Sequence, residues 1–435
     1  MHQELGKEII STIIGPRQVG KTTLLEQLAL ALEADGINPR LIIRLNFDDL
    51  ELRSRLGTRP GELSREIEIR LGTPLSGLKK KVYLFLDEAQ KLPPLLEEVK
   101  LLFDRYKDRI KIVISGSSSL EIRKNISETL AGRIRYHYLF GLTMKEVLIH
   151  HHFWSGGPGL LELLLRGQLK KQNIKKIQAE MWEHRGSIEN IRRRMLIFGS
   201  LPAVFIEPSE DEKWFILRDY AATYIEKDIR VLGGVGDLDL FHRFYRVLLL
   251  QNGNLLNVSN LASDLGMSRN TIDTYLGILE QTQVISRLPV WAKKPKARLV
   301  KAPKIYFFDN GLVNHATRQT DYRALQAGGR LGTAEEGFFL FNARSFSANM
   351  SLPPEIHFWR DYQGHELDFV IEEKELRAVE ITTEKRMRKK RYRNISYIEE
   401  KTGIRQVIIV GDFPSFEELT VGLSHVSKIP SWMVF

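Results

Sequence analysis

The residues best suited to chemistry lie close to the start of the chain. Gly15, Pro16, Arg17, Gln18, Val19, Gly20, Lys21 and Thr22 fit the pattern G-x-x-x-x-G-K-[ST] at every position. Glycines in such a loop let successive backbone N–H groups turn toward phosphate oxygens. The start of the next helix adds a positive partial charge. The pattern therefore predicts a triphosphate cradle for ATP, with Thr23 beside it. Lys21 would reach the β- and γ-phosphates and the Thr22 hydroxyl would hold Mg²⁺.

A second acidic element completes that chemistry. Val82–Leu86 is apolar and runs straight into Asp87 and Glu88. A buried strand ending in two carboxylates is a Walker B element. Asp87 would hold Mg²⁺, mostly through water, and Glu88 would orient and polarise the attacking water. The apolar run Ile110–Ile114 ends in Ser115-Gly116-Ser117-Ser118. Either Ser115 or Ser117 could meet the γ-phosphate, or the segment is simply a tight turn. Arg133 is a candidate for neutralising charge in the transition state, or else a surface arginine paired with a carboxylate.

These residues need elements to position them. The runs Ile9–Ile14, Leu41–Phe47, Val82–Leu86 and Ile110–Ile114 are nearly continuous in apolar residues, as strands covered on both faces are. Between them lie amphipathic stretches such as Thr23–Ala34, where Leu24, Leu25, Leu28 and Leu32 share a helical face. Strand–helix alternation predicts an α/β fold with a parallel sheet. Gly156-Gly157-Pro158-Gly159 breaks this pattern, and a charged helical stretch follows. Val258–Leu265, Gly266-Met267 and a second helix from Ser268 to about Gln281 read as helix-turn-helix. Ser268, Arg269, Asn270 and Thr271 would then stand at the exposed start of a recognition helix. The basic run Lys293–Lys304, with Lys293, Lys294, Lys296 and Arg298, would form a wing with phosphate contacts.

The order of these segments resembles the AAA+-type P-loop ATPases of bacteria and archaea that carry a C-terminal domain of unknown function. Gly15–Thr22 and Leu86-Asp-Glu-Ala-Gln90 resemble the family's two nucleotide motifs. Ser115–Ser118, Leu130–Arg133, Leu142–Glu146, Gly199–Pro202 and Tyr224–Asp228 resemble the segments that follow. Asn252–Asn254 and Ser268–Thr271 resemble its winged-helix segment, and Glu336, Trp359-Arg360 and Glu366–Asp368 its C-terminal domain. Typical members have more residues before the phosphate loop, so an N-terminal element is expected to be missing here or never to have been present. The resemblance implies ATP binding and hydrolysis. It supplies no defined cellular role.

Glu366-Leu-Asp368-Phe-Val and Ala378-Val-Glu380-Ile-Thr382 also resemble the metal-site hairpin of restriction-endonuclease-like folds. That likeness implies that Asp368, Glu380 and Glu336 could form a second metal site. Its pattern wants a lysine where Thr382 stands. Lys385 opens a basic run instead. The departure favours a tail used for binding or assembly over one that cleaves. The expected domains are a P-loop ATPase core at 1–150, a helical lid at 151–240, a winged helix at 241–315 and a small α/β nuclease-like domain at 325–435.

Composition narrows the remaining classes. The chain has 435 residues, no cysteine and a net charge of +10. Disulfide scaffolds, thiolate zinc sites and cysteine nucleophiles are excluded. No apolar run reaches the ~20 residues that span a bilayer, so no membrane association and a cytoplasmic location are expected. The charge is local: Lys293–Lys304 holds six basic residues and Lys385–Arg393 seven, with no acid in either. Such patches suit a polyanion. Three readings follow: an ATPase whose nucleotide state controls a grip on double-stranded DNA, an ATP-dependent switch that binds a protein partner, and an ATP-regulated nuclease. A homo-oligomer is compatible with each.

Overall fold

In the computed structural model, the structure describes residues 2–57, 59–116, 129–224, 237–385 and 389–435. The side chains of 224, 299, 300, 389 and 390 are not described. Ser117, Ser118 and residues 225–228 of the expected motifs lie outside these residues. The chain forms two compact units. One ends at Phe140 and the other begins at Gly141, although Gln281–Gln283 group with the first.

The first unit is built on a five-stranded sheet. Its strands are β1 (Ile10–Ile14), β2 (Ile42–Asn46), β3 (Val82–Asp87), β4 (Ile110–Gly116) and β5 (Ile134–Tyr138). They lie in the order β2-β3-β4-β1-β5, and every pair is parallel. All residues of β1, β3 and β4 are buried. The strand period of two divides them between the two faces. Ile10, Ile14, Leu84, Leu86, Ile112 and Ile114 join one core. Ile13, Phe85 and Val113 join another, against Leu25, Leu28 and Leu32 of the helix Lys21–Ala34. Each such side chain contributes about 1.5–3 kcal/mol when fully buried. Strand β5 escapes a search for apolar runs because its sequence, Ile-Arg-Tyr-His-Tyr, is that of a half-buried sheet edge.

The second unit combines helices with two smaller sheets. The helix Met144–His150 begins at a capping box, in which Thr143 accepts from the backbone of Glu146 and the Glu146 side chain from that of Thr143. A buried ion pair joins Arg192 to both oxygens of Glu335, at 2.7 and 2.6 Å. Helices Val258–Leu265 and Arg269–Gln281 are separated by a turn in which Gly266 takes φ 64°. The Ser268 hydroxyl accepts from the N–H of Thr271 at 3.1 Å, capping the second helix. Ile272, Tyr275, Leu276 and Leu279 form its buried face, as predicted. Strands β6 (Ile285–Leu288) and β7 (Lys304–Phe307) then pair antiparallel.

One expectation about this region needs correction. The basic run Lys293–Lys304 is expected to be an extended wing, but its segment Pro295–Val300 is a short helix. Proline at its first turn has the fixed φ that suits a helix start and needs no N–H partner there. The remaining sheet contains β8 (Glu355–Arg360), β9 (Glu366–Glu372), β10 (Leu376–Ile381), β11 (Gln406–Gly411), β12 (Glu417–Val421) and β13 (Ser424–Pro430). Their order is β12-β13-β11-β10-β9-β8, with mixed directions. Val290 bridges to Phe358, so the segment after β6 lies alongside β8.

Candidate nucleotide site and a second acidic cluster

Parallel pairing brings the carboxyl ends of β1, β4 and β3 side by side, and the nucleotide motifs sit there. The phosphate loop follows Ile14. Ile13 is in register with Ser115, and Leu86 with Ile114. Gly15 has no room for a Cβ, which would strike the Leu139 carbonyl. Gln18 and Gly20 take φ 59° and 95°, turning the loop into the helix Lys21–Ala34. Lys21 is buried, and its ammonium donates to the carbonyls of Gly15 at 3.1 Å and Pro16 at 2.7 Å. The amine is therefore held across the loop. Arg17 is half-buried, Val19 buried and Gln18 exposed. Thr22 and Thr23 are exposed at the helix start.

Two hydroxyls converge on one carboxylate. Thr22 donates to Asp87 Oδ2 at 2.7 Å. Ser115 donates to Asp87 Oδ1 and also accepts from the N–H of Glu88 at 3.4 Å. Asp87 and Ser115 are both buried. Glu88 has φ 54°, a conformation that costs a non-glycine residue free energy and often marks a functional position. Its carboxylate accepts from Gln90 Nε2 at 2.6 Å. The Thr22 hydroxyl and the Asp87 carboxylate are hard oxygen donors beside a lysine-spanned loop. They fit Mg²⁺ with a triphosphate.

Arg133 is not part of this site. It precedes β5, and its carbonyl accepts from the N–H of Ile10, the first residue of β1. It therefore marks the opposite, amino end of the strands, roughly 15 Å from the loop at ~3.3 Å per residue. Its guanidinium is bidentate to Asp104, at 2.5 and 3.0 Å. Of the two expectations for Arg133, the pairing with a carboxylate is the one this geometry matches.

The tail holds a different acidic cluster. Asp368 on β9 accepts from the backbone N–H of Ile381 at 2.7 Å. Burial, with repulsion from Glu380 and Glu336, pushes its carboxyl well above the usual carboxylate range. Burial likewise pushes Glu380 up to about 7; Arg391 opposes the shift, while Glu336 and Glu366 add to it. Glu336, on the helix Leu331–Ser347, accepts from the Tyr306 hydroxyl at 2.6 Å and lies 3.5 Å from the Lys304 ammonium. Lys304 also pairs with Glu366. Burial works against the charge on Lys304, yet the surrounding acids hold its pKa above that of an ordinary lysine.

This cluster departs from the expected metal site. Its acids are neutralised by Lys304 and by Arg391, whose NH1 is 3.7 Å from Glu380. Among the described residues, the three that bring one ligand atom each within 4.8 Å are Glu355, His357 and Glu372, not Glu336, Asp368 and Glu380. Sequence reasoning put Lys304 in the wing and missed its role here. A period-two reading of β7 places Lys304 and Tyr306 on one face, and that was the available signal. Arg298 is likewise engaged, with Glu372 at 2.6 Å. Ser268, Arg269 and Asn270 are exposed, as are Lys293, Lys294 and Lys296, while Thr271 is half-buried. His150, His151 and His152 are exposed.

Known proteins match this arrangement in parts. The family described as "AAA domain" matches residues 7–148. Two families described as domains of unknown function, DUF8612 and DUF4143, match residues 189–323 and 331–419. An uncharacterized protein of Mycobacterium tuberculosis is 27% identical over 375 residues, covering 86% of this chain and 69% of that protein. One of Methanocaldococcus jannaschii is 24% identical over 436 residues, covering 97% and 87%. The Aeropyrum pernix ORC2 protein in its ADP form aligns with 74% of this chain and 88% of its own at 14% identity. Its TM-score of 0.29 is too low to carry an argument. The AAA match and the parallel five-stranded sheet give the first unit a P-loop NTPase fold. The helical region and a separate C-terminal sheet domain are present as expected. No helix among the described residues is long and apolar enough to cross a membrane.

Proposed function

We propose that the chain binds ATP with Mg²⁺ and hydrolyses it. The observation that carries this reading is the convergence of Thr22 and Ser115 on Asp87, beside a loop spanned by Lys21. Loop N–H groups and Lys21 would bind and orient the β- and γ-phosphates. Thr22 and Asp87 would hold Mg²⁺, which when bound offsets negative charge on the phosphates. Glu88 would accept a proton from the attacking water once its carboxylate leaves Gln90. Replacing Glu88 by glutamine should leave ATP binding intact and lower turnover by about 10²–10⁴-fold. Turnover at the wild-type rate would remove Glu88 from the mechanism.

The nucleotide state would in turn control a grip on double-stranded DNA by the second unit. Support comes from the exposed start of the helix Arg269–Gln281, with Ser268, Arg269 and Asn270, and from Lys293, Lys294 and Lys296. Arg298 and Lys304 leave this set because carboxylates already hold them. ATP hydrolysis measured with and without duplex DNA tests the link. Stimulation that fades with added salt is the expected result. Identical rates at low salt would favour the reading in which the second unit binds a protein. Nuclease action has less support, because Thr382 occupies the lysine position and the nearby Lys304 is paired with acids.

A further inference from the structure

Glu355, His357 and Glu372 lie at the junction between the basic run and the tail sheet. Glu355 and His357 are two residues apart on β8 and so share a face. Glu372 on β9 is the register partner of Glu355. His357 Nε2 is 3.1 Å from a Glu355 oxygen and 3.9 Å from a Glu372 oxygen. The three ligand atoms all lie within 4.8 Å of one another. Zinc bonds of ~2.0–2.1 Å at tetrahedral angles place neighbouring ligand atoms about 3.3 Å apart, so small side-chain rotations close this set on a metal.

A cation already stands against these carboxylates. Arg298 NH1 is 2.6 Å from Glu372 and 3.5 Å from Glu355, and its Nε donates to the Ala292 carbonyl at 2.8 Å. The His357 side chain is only 5% exposed, whereas that of Glu355 is 68% exposed, which leaves a route in from solvent. An imidazole with two carboxylates suits zinc or cobalt(II) better than the hard, all-oxygen preference of Mg²⁺.

We propose that Glu355, His357 and Glu372 form a divalent transition-metal site, of the zinc class, at which Arg298 is the competing resident cation. Metal binding displaces the guanidinium and releases the basic segment that carries Lys293, Lys294 and Lys296. The buried His357 Nδ1 has no hydrogen-bond partner among the described residues. A metal-bound histidine usually has one there, and lacking it costs about 10–100-fold in affinity. The site is therefore a reversible one, independent of the phosphate loop.

The test uses the full chain, stripped with chelator and free of nucleotide, titrated with Co²⁺ and then Zn²⁺. The expected result is one Co²⁺ per chain, with the visible absorption of a low-symmetry N/O site, displaced by one Zn²⁺. Glu355→Gln, at an exposed position that folding tolerates, and His357→Gln should each weaken binding at least tenfold. Arg298→Ala should tighten it severalfold, an effect that a merely structural ion pair would not give. Replacing His150, His151 and His152 together by alanine should change nothing. The proposal is overturned if wild type and Arg298→Ala both fail to bind stoichiometrically. It is equally overturned if Glu355→Gln binds like wild type, or if the exposed histidine run accounts for the metal.

Discussion

Asp87 and Asp368 are both strand aspartates with other carboxylates close by, yet their surroundings are opposite in kind. Asp87 accepts from two hydroxyls that belong to neighbouring elements, Thr22 and Ser115. Asp368 accepts one backbone N–H and faces Glu380 and Glu336. The first carboxylate is met by hydroxyl donors on both oxygens. The second sits where charge is resisted, and a lysine from another strand, Lys304, offsets the crowding. Acidic residues in a motif thus mean little until the donors around them are known.

Four measurements would break or sharpen that contrast. The largest effect is expected for Asp87→Asn, which should lower ATP turnover by about 10²–10³-fold, comparable to removing one preorganised charge-stabilising group. The same exchange at Asp368 should leave turnover alone. Next is Lys304→Met. Breaking a buried pair by removing one partner costs about 3–5 kcal/mol, which a denaturant melt of the second unit would detect. A melt indistinguishable from wild type would remove Lys304 as the neutralising group.

A smaller effect concerns pH. Glu380 has a folded pKa of about 7, above its ordinary 4.5. Between those values the folded chain holds more protons than the unfolded one, so this group's contribution to stability falls as pH rises from 4.5 to 7. Glu380→Gln should therefore flatten the pH dependence of the second unit's melting and raise its Tm at pH 7.5 by a few degrees. An unchanged slope would show that burial and the acids do not act on Glu380 as described. The smallest effect is expected for Arg133→Ala. Its pairing with Asp104 at the amino end of the strands predicts turnover within about twofold of wild type, since surface pairs contribute little.

Legibility followed the range of the interactions. All four predicted core strands are readable to within two residues, and the phosphate loop, Asp87 and Glu88 stand at their carboxyl ends, because each is a local pattern of apolar residues and small turns. Strand β5 was not, since a half-buried edge carries polar residues on its open side. Helix Val258–Leu265 matched the prediction at both ends because Asn257 and Gly266 cap it locally. The wing was misread because the partners of Arg298 and Lys304 come from strands and a helix much later in the chain.

The sequence by itself determined the parallel sheet, the loop that follows its first strand and the residues that could hold a triphosphate. These depend on side-chain period, on glycine and on residues next to one another. Only the tertiary structure decided which charges are available. It placed Arg133 at the amino end of the strands, away from the phosphate loop, committed Lys304 and Arg298 to carboxylates, and set His357 between two glutamates on adjacent strands. A charge acts over a few ångströms of space, and the chain brings those ångströms together across tens of residues.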